Sequence, residues 1–208
     1  DAVVTGGVAR DIDAAGCELL LAHGEALARE LGALRAIYDE HAGMQDRFIG
    51  CGCVSTALAL QLGLTGLAAR ASGLPHDLRC DLPVAPYPAV GVTCAVDTDG
   101  DVAARVAVRF DEAVESLRIC RELLGALPDG AIRVPLTDAV PPGFGIGLVE
   151  GWRGPVLIAL ETGADGTIRR CHPHDPSWHN WPVLEHAVIG NIVPDFPLIN
   201  KSFNLSYS

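Results

Sequence analysis

The stretch TDGDVAARVAVRFDEAVESLRICRELLGALPDG, residues 98 to 130, constrains the fold more than any other part of the chain. Val102, Val106, Phe110, Ala113, Leu117, Cys120 and Leu124 recur at three- and four-residue steps, which lines one face of a long helix with apolar side chains. Aspartates stand at its start, and Pro128 to Gly130 form a stop signal. A helix this long needs something to bury its stripe against. The segment from about Asp13 to Tyr38 is the natural counterpart, with Leu20, Leu27, Leu31, Leu34 and Tyr38 on one side and Asp11 and Asp13 placed to cap its N-terminus.

Between these two helices the pattern changes. No charge occurs between Arg47 and Arg70, but glycines, Ser55, Thr56, Gln61 and Thr65 make the run too mildly apolar for a membrane span of roughly twenty residues. It reads as a buried helix starting near Ser55 and running toward Arg70, bent or closely packed at Gly63 and Gly66, and ended by Gly73 ahead of Pro75. Prolines 75, 83, 86 and 88 forbid a continuous helix over the next stretch, where VGVTCAV alternates as a short strand would. After a Pro- and Gly-rich loop, GLVEGWRGPVLIALETGADGTIRRCHP reads as a strand pair around the turn GADG, since PVLIAL is a short apolar run with a breaker after it. SWHNWPVLEHAVIGN has helical character with Ser177 as its cap, while Pro194 and Pro197 leave the last segment short and irregular. No repeat or linker divides the chain, so 1–208 is read as one domain.

Composition narrows the function. A chain of 208 residues has room for a real core. Its net charge of -11 and its single lysine, Lys201, argue against a nucleic-acid partner, because phosphate binding needs clustered cations. Seven scattered cysteines suit reduced, mostly buried thiols of a cytosolic compartment. No basic segment followed by an apolar run opens the chain, so no signal peptide is expected. The start on Asp1 without Met fits a fragment.

The segment CHPHDPSWHNW, residues 171 to 181, raises the question of zinc, since His172, His174, His179, Cys171 and Asp175 are all possible ligands. Their spacing matches no zinc module. The segment is read as a connection stiffened by Pro173 and Pro176, with Trp178 and Trp181 anchoring it to the core. Cys51-Gly-Cys53 is no better as a ligand pair, because two residues apart on a helix diverge by roughly 200°. A zinc-binding protein is the least favoured reading.

Five segments carry more information together than singly: GGVARD at 6–11, ARASGLPHDLR at 69–79, GDVAARVAVRFDEAVES at 100–116, EGWRG at 150–154 and NWPVLEHAVIGNIVPDFPLINKSF at 180–203. In this order they resemble the 49-kDa subunit of respiratory NADH:quinone oxidoreductase. They resemble more closely the large subunit of membrane-bound nickel–iron hydrogenases of the formate hydrogenlyase type. The resemblance runs from about Gly6 to the end and corresponds to the C-terminal part of such a subunit. It implies an α+β, mostly helical fold, a bundle of long helices with a small antiparallel sheet, packed on an iron–sulfur small subunit that holds a 4Fe–4S cluster.

The family's hydrogenases hold nickel and iron with two CxxC pairs, and neither appears here. By the resemblance, Asn204, Leu205 and Ser206 stand where relatives have Asp, Pro and the first Cys. A serine hydroxyl is a poor substitute for a bridging thiolate, so no metal or other cofactor is expected in this chain. The quinone-binding His and Tyr of the respiratory relatives would precede Asp1. No residue is assigned a catalytic step.

The resemblance also places Arg70, Asp77, Arg79, Glu150 and Arg153, with Asn204 and Ser206, around a buried cavity between large and small subunits. In that role Glu150 and Arg153 would orient or transfer protons, because a buried carboxylate beside a guanidinium has a tunable pKa. The alternative is a structural ion pair that fixes the bundle. Arg105, Arg109, Glu112 and Ser116 are read as the polar positions of an amphipathic helix, with a structural role. The resemblance implies a subunit of an oxidoreductase complex of the NADH dehydrogenase or hydrogenase type, inactive as an isolated chain. It would be cytoplasmic and peripheral to the inner membrane through membrane partner subunits, possibly with quinone as a partner. NAD would belong to another subunit, as no GxGxxG is present here. A catalytically degenerate scaffold coupling an iron–sulfur partner to membrane subunits is the alternative.

Overall fold

The computed structural model describes residues 2–135 and 141–207. A two-stranded ribbon, β1 (Val3–Val4) and β2 (Gly7–Val8), leads into α1 (Ala14–Glu40), which is followed by α2 (Ala42–Phe48), α3 (Thr56–Leu62), α4 (Gly66–Arg70), α5 (Leu78–Asp81), α6 (Tyr87–Val90) and α7 (Val102–Gly125). Three antiparallel strands in the order β3 (Gly143–Gly151), β4 (Gly154–Thr162) and β5 (Ile168–His174) come next. The chain ends in α8 (Ser177–Ala187) and α9 (Phe196–Phe203). Helices with a small antiparallel sheet are the architecture that the motifs imply.

The two long helices form where the sequence places them. Asp13 caps α1 by accepting from the Gly16 amide at 2.7 Å, and Asp101 caps α7 by accepting from Ala104 at 2.8 Å. They pack on each other, yet of the expected α1 stripe only Tyr38 is buried; Leu20, Leu27 and Leu34 are 44%, 47% and 55% exposed. On α7 the dry positions are Val102, Ala104, Arg105, Val108 and Ile119, and Cys120 is exposed. The burial face is rotated from the predicted stripe because the first half of α7 is gripped from two sides, by α4 and by α9.

The apolar run after Arg47 gives two short helices rather than one. Ser55 caps α3 as expected, accepting from the Leu58 amide at 3.2 Å, and Gly63 closes it in a left-handed conformation with φ 67°. Gly66, at φ 66°, opens α4, and a Cβ there would lie 2.1 Å from the Arg153 carbonyl oxygen. Only glycine permits that approach of α4 to the β3–β4 turn. Every residue of α4 is buried, and the core gathers around α4 from Val54, Leu64, Leu74, Val102, Leu184, Ile199 and Phe203.

Three local expectations are corrected and one is extended. VGVTCAV is not a strand: α7 side chains take its backbone groups instead, Glu115 accepting from the Thr93 amide at 2.8 Å and Arg118 donating to the carbonyls of Val90 and Gly91. The strand pair around GADG exists as β4 and β5, but β3 joins it on the other side through a turn at Trp152–Arg153. Pro194 and Pro197 do not leave the C-terminal segment irregular; both sit in first turns, where the missing amide costs nothing, of a 3-10 turn at Val193–Asp195 and of α9. Ser177 lies inside α8 instead of capping it, and its hydroxyl accepts from the Ser206 amide at 2.9 Å.

Candidate functional site

Arg70, the last residue of α4, is 1% exposed. Its Nε donates to Glu112 Oε1 of α7 at 2.5 Å, and its Nη1 donates to Glu150 Oε1 of β3 at 3.0 Å and to the His76 carbonyl at 2.9 Å. Asp77 Oδ2 lies 3.8 Å from the same Nη1. Asp77 caps α5 and holds Arg79 at both carboxylate oxygens, with Nε at 3.0 Å from Oδ1 and Nη2 at 2.7 Å from Oδ2. Glu150 spends its second oxygen on the Leu78 amide at 3.2 Å. Four elements therefore meet at five charges, three carboxylates and two guanidiniums, beside a cavity of about 190 Å³ lined by Arg70, Arg79, Glu112, Ser116, Glu150 and Trp152.

With three acids on two bases, one negative charge is left uncompensated inside the cluster. Burial pushes the Glu150 carboxyl above the usual carboxylate range, and its share of Arg70 does not bring it back. Asp77 goes the other way: burial raises it, but the paired bonds from Arg79 and the charge of Arg70 outweigh that and hold it low. Burial pulls on Arg70, and the two glutamates more than offset it, so the guanidinium stays charged. Two neighbouring carboxyls driven in opposite directions is the arrangement by which a site separates a proton carrier from a fixed charge.

Of the sequence-predicted residues, the structure brings Arg70, Asp77, Arg79 and Glu150 together and sets Arg153 apart. Glu150 pairs with Arg70, not with Arg153; the two-residue turn after β3 aims Arg153 the other way, and its Nε donates to the Asn204 carbonyl. Of the polar positions of α7, Arg105 is buried and Arg109 and Glu112 are half-buried, so these three positions do not face solvent. Arg105 is fully buried, donating to Ser202 Oγ at 2.8 Å, to the Gly100 carbonyl at 2.7 Å and to the Gly52 carbonyl at 3.0 Å, with its guanidinium 4.4 Å from the Phe203 ring centroid. Burial away from any paired carboxylate pushes it down to about 10. Ser116 is exposed, with its hydroxyl on the Glu112 carbonyl.

Asn204 closes α9 in a left-handed conformation with φ 54°, Leu205 is buried, and the Ser206 carbonyl accepts from Trp181 Nε1 at 3.1 Å. An amide and a hydroxyl are hard donors where a nickel–iron pair requires thiolates. Cys51 is buried and Cys53 exposed, and in this chain burial pushes both thiols up. Asn204 to Ser206 offer no thiolate at this place.

The histidine-rich segment is not a loop: His172 and His174 lie on β5 and His179 on α8. Trp178 is 51% exposed and packs on the His174 ring at 5.1 Å, so of the two tryptophans only Trp181 reaches the core. Among the described residues no three His, Cys, Asp or Glu side chains converge as a metal's ligand set. None of their helices is long and apolar enough to cross a membrane.

Motif residues from α4, α5, α7 and β3 converge on one cluster. The family model for the respiratory-chain NADH dehydrogenase, 49 Kd subunit, matches residues 1–144. The chain belongs to this 49-kDa subunit family. It is 30% identical over 204 residues to the carbon monoxide-induced hydrogenase of Rhodospirillum rubrum, covering 98% of this chain and 56% of the relative. It is 29% identical to formate hydrogenlyase subunit 5 of Escherichia coli, covering 88% and 32%, and 31% identical to an NADH-quinone oxidoreductase subunit of Syntrophobacter fumaroxidans, covering 96% and 54%. Among solved structures, a chain of the membrane-bound sulfane sulfur reductase, an archaeal respiratory membrane complex, superposes with a TM-score of 0.89 at 29% identity, over 97% of this chain and 57% of that one. The resemblance read from the five motifs holds, and the chain spans from about a third to just over half of these relatives.

Proposed function

We propose that this chain is the part of a membrane-associated oxidoreductase subunit that couples electron transfer in an iron–sulfur partner to proton movement. The Arg70–Glu112–Glu150 cluster is the element that carries the proton. The observation behind it is the opposite drive on Glu150 and Asp77 within one buried, net-negative cluster built from three motifs of the family. Glu150, raised and beside a cavity, takes and releases a proton; Asp77 and Arg79 form the fixed charge that keeps the site assembled. The partners implied are an iron–sulfur small subunit with its 4Fe–4S cluster and membrane subunits, with the chain on the cytoplasmic face and quinone as one acceptor. Relatives named as hydrogenases and as NADH-quinone oxidoreductases support the reaction class without choosing between donors.

Glu150→Gln in the full-length protein, in its complex, tests this. The expected result is normal assembly with turnover lowered at least tenfold and its pH dependence flattened. Wild-type turnover with an unchanged pH profile would discard the proton role.

A second reading has its own observation. Asn204, Leu205 and Ser206 provide no soft donor, which supports a subunit without a nickel–iron centre that serves as scaffold between its partners. Stoichiometric nickel in the intact complex, measured by plasma mass spectrometry, would eliminate it.

A further inference from the structure

A second cavity, of about 380 Å³, shares Trp152 with the cavity beside the ion cluster and is lined mainly from α7, α9 and the β3–β4 turn. Its walls are apolar, from Phe48, Val106, Leu198 and the Trp152 ring, and its polar groups are Arg109, Lys201, Ser202 and Asn204. Among the described residues, no Asp or Glu lines it. In a chain with 26 acids and 15 lysines and arginines, a pocket with two cations and no acid runs against composition.

The bonding of Arg109 sharpens the point. Its Nη2 donates to the Ser202 carbonyl at 3.1 Å, a carbonyl at the negative C-terminal end of α9, and its guanidinium lies 5.8 Å from the Trp152 ring centroid. Among the described residues, Glu112 is the one carboxylate whose charge Arg109 feels appreciably, and Glu112 is committed to Arg70. Burial accordingly draws Arg109 below its ordinary value. The same α9 terminus already receives Arg105, through Ser202 Oγ, and Arg153, through the Asn204 carbonyl. The roughly half negative charge of that helix end is thus shared by three guanidiniums, and of these Arg109, with Lys201, lines the apolar pocket.

We infer that this cavity binds a small organic anion, its charged head between Arg109 and Lys201 and its apolar body against Trp152, Phe48 and Leu198. The volume lies at the lower end of the range for ligand pockets, and apolar walls with a few placed polar groups are the usual composition of one. An anionic head suits the site, because it offsets a half-buried guanidinium that has carbonyls but, among the described residues, no carboxylate in an ion pair with it. Trp152 lines both this cavity and the one that holds Glu112 and Glu150.

The test uses the full-length protein in its complex and three probes of one shape: 4-phenylbutanoate, 4-phenylbutan-1-ol and 4-phenylbutylamine. Calorimetry should show saturable binding of the anion, at least tenfold weaker binding of the alcohol and none of the amine. Lys201→Gln, on an exposed side chain that folding does not need, should weaken the anion at least fivefold and leave the alcohol unchanged. Arg109→Gln should do the same more strongly, and Val106→Trp should abolish binding by filling the pocket. Equal binding of anion and alcohol, or anion binding indifferent to Lys201→Gln, would overturn the assignment. So would a complex in which another polypeptide segment fills the cavity, or one that binds none of the probes.

Discussion

Glu112 Oε1 lies 2.5 Å from Arg70 Nε across 42 positions of sequence, and this bond joins α4 to α7 at the centre of the charge cluster. Arg70 is shared by Glu112, Glu150 and Asp77. Arg70→Met would strand three carboxylates with only Arg79 to serve them. Removing one partner of a buried pair costs roughly 3–5 kcal/mol, and the loss here should reach that range. Glu112→Gln should cost less, because the amide oxygen still accepts from Arg70. Urea midpoints of the two variants should fall in that order; equal midpoints would show that the cluster is solvated.

Stability should depend on pH with opposite signs from two neighbours. Asp77 is depressed in the fold, so its contribution is complete above the ordinary aspartate value of about 3.9 and is lost as pH falls through its folded value. Glu150 is raised, so its contribution is complete below the ordinary glutamate value of about 4.3 and is lost as pH rises through its higher folded value. Glu150→Gln cannot lose a proton and should remove the second effect. Its stability relative to wild type should climb as pH increases above about 4.3 and then level off. A difference independent of pH would mean that Glu150 titrates normally.

Part of this site was legible in the sequence, through the family resemblance. Arg70, Asp77, Arg79 and Glu150 lie in ordered motifs whose residues converge once α4 and β3 flank α7, and they do converge. Glu112 and Arg105 were missed because amphipathic-helix logic assumes a single apolar partner. Here α7 meets α4 on one side and α9 on the other, so a polar stripe is buried as well as an apolar one. The signal was present: Arg105, Arg109, Glu112 and Ser116 recur at four-, three- and four-residue steps, a continuous polar line on a helix. β3 was hidden for another reason. Gly143, Gly145 and Gly147 alternate along it, which reads as a loop until the apolar strand β4 supplies its partner.

Gly66 should tolerate no side chain. Its φ of 66° already penalises an L residue, and an added Cβ would lie 2.1 Å from the Arg153 carbonyl oxygen. Strain of about 1–3 kcal/mol adds to displacement of the Trp152–Arg153 turn, which helps form both cavities. Gly66→Ala should therefore lower stability by at least about 3 kcal/mol, while Gly63→Ala, also at positive φ but with open space around it, should cost only the backbone strain. Thermal unfolding of both separates collision from conformation; equal losses would remove the close approach as the cause.

Asn180 is the joint that holds this turn to the helices. Its Oδ1 accepts from the Thr65 amide at 3.0 Å, and its Nδ2 donates to the Thr65 carbonyl at 3.2 Å and reaches the Arg153 carbonyl at 3.5 Å. The side chain is 1% exposed. Asn180→Ala would leave the Thr65 amide and carbonyl unpaired, at about 1–3 kcal/mol for a buried group without its partner. Asn180→Asp keeps the shape and the acceptor but sets a negative charge against two carbonyl oxygens, and should be the worse substitution at neutral pH. Protonation restores a donor there, so Asn180→Asp should recover toward wild type as pH falls to about 4, whereas Asn180→Ala should not. Unfolding midpoints at acid and neutral pH measure the crossover, and its absence would show that water, not Asn180, satisfies the turn.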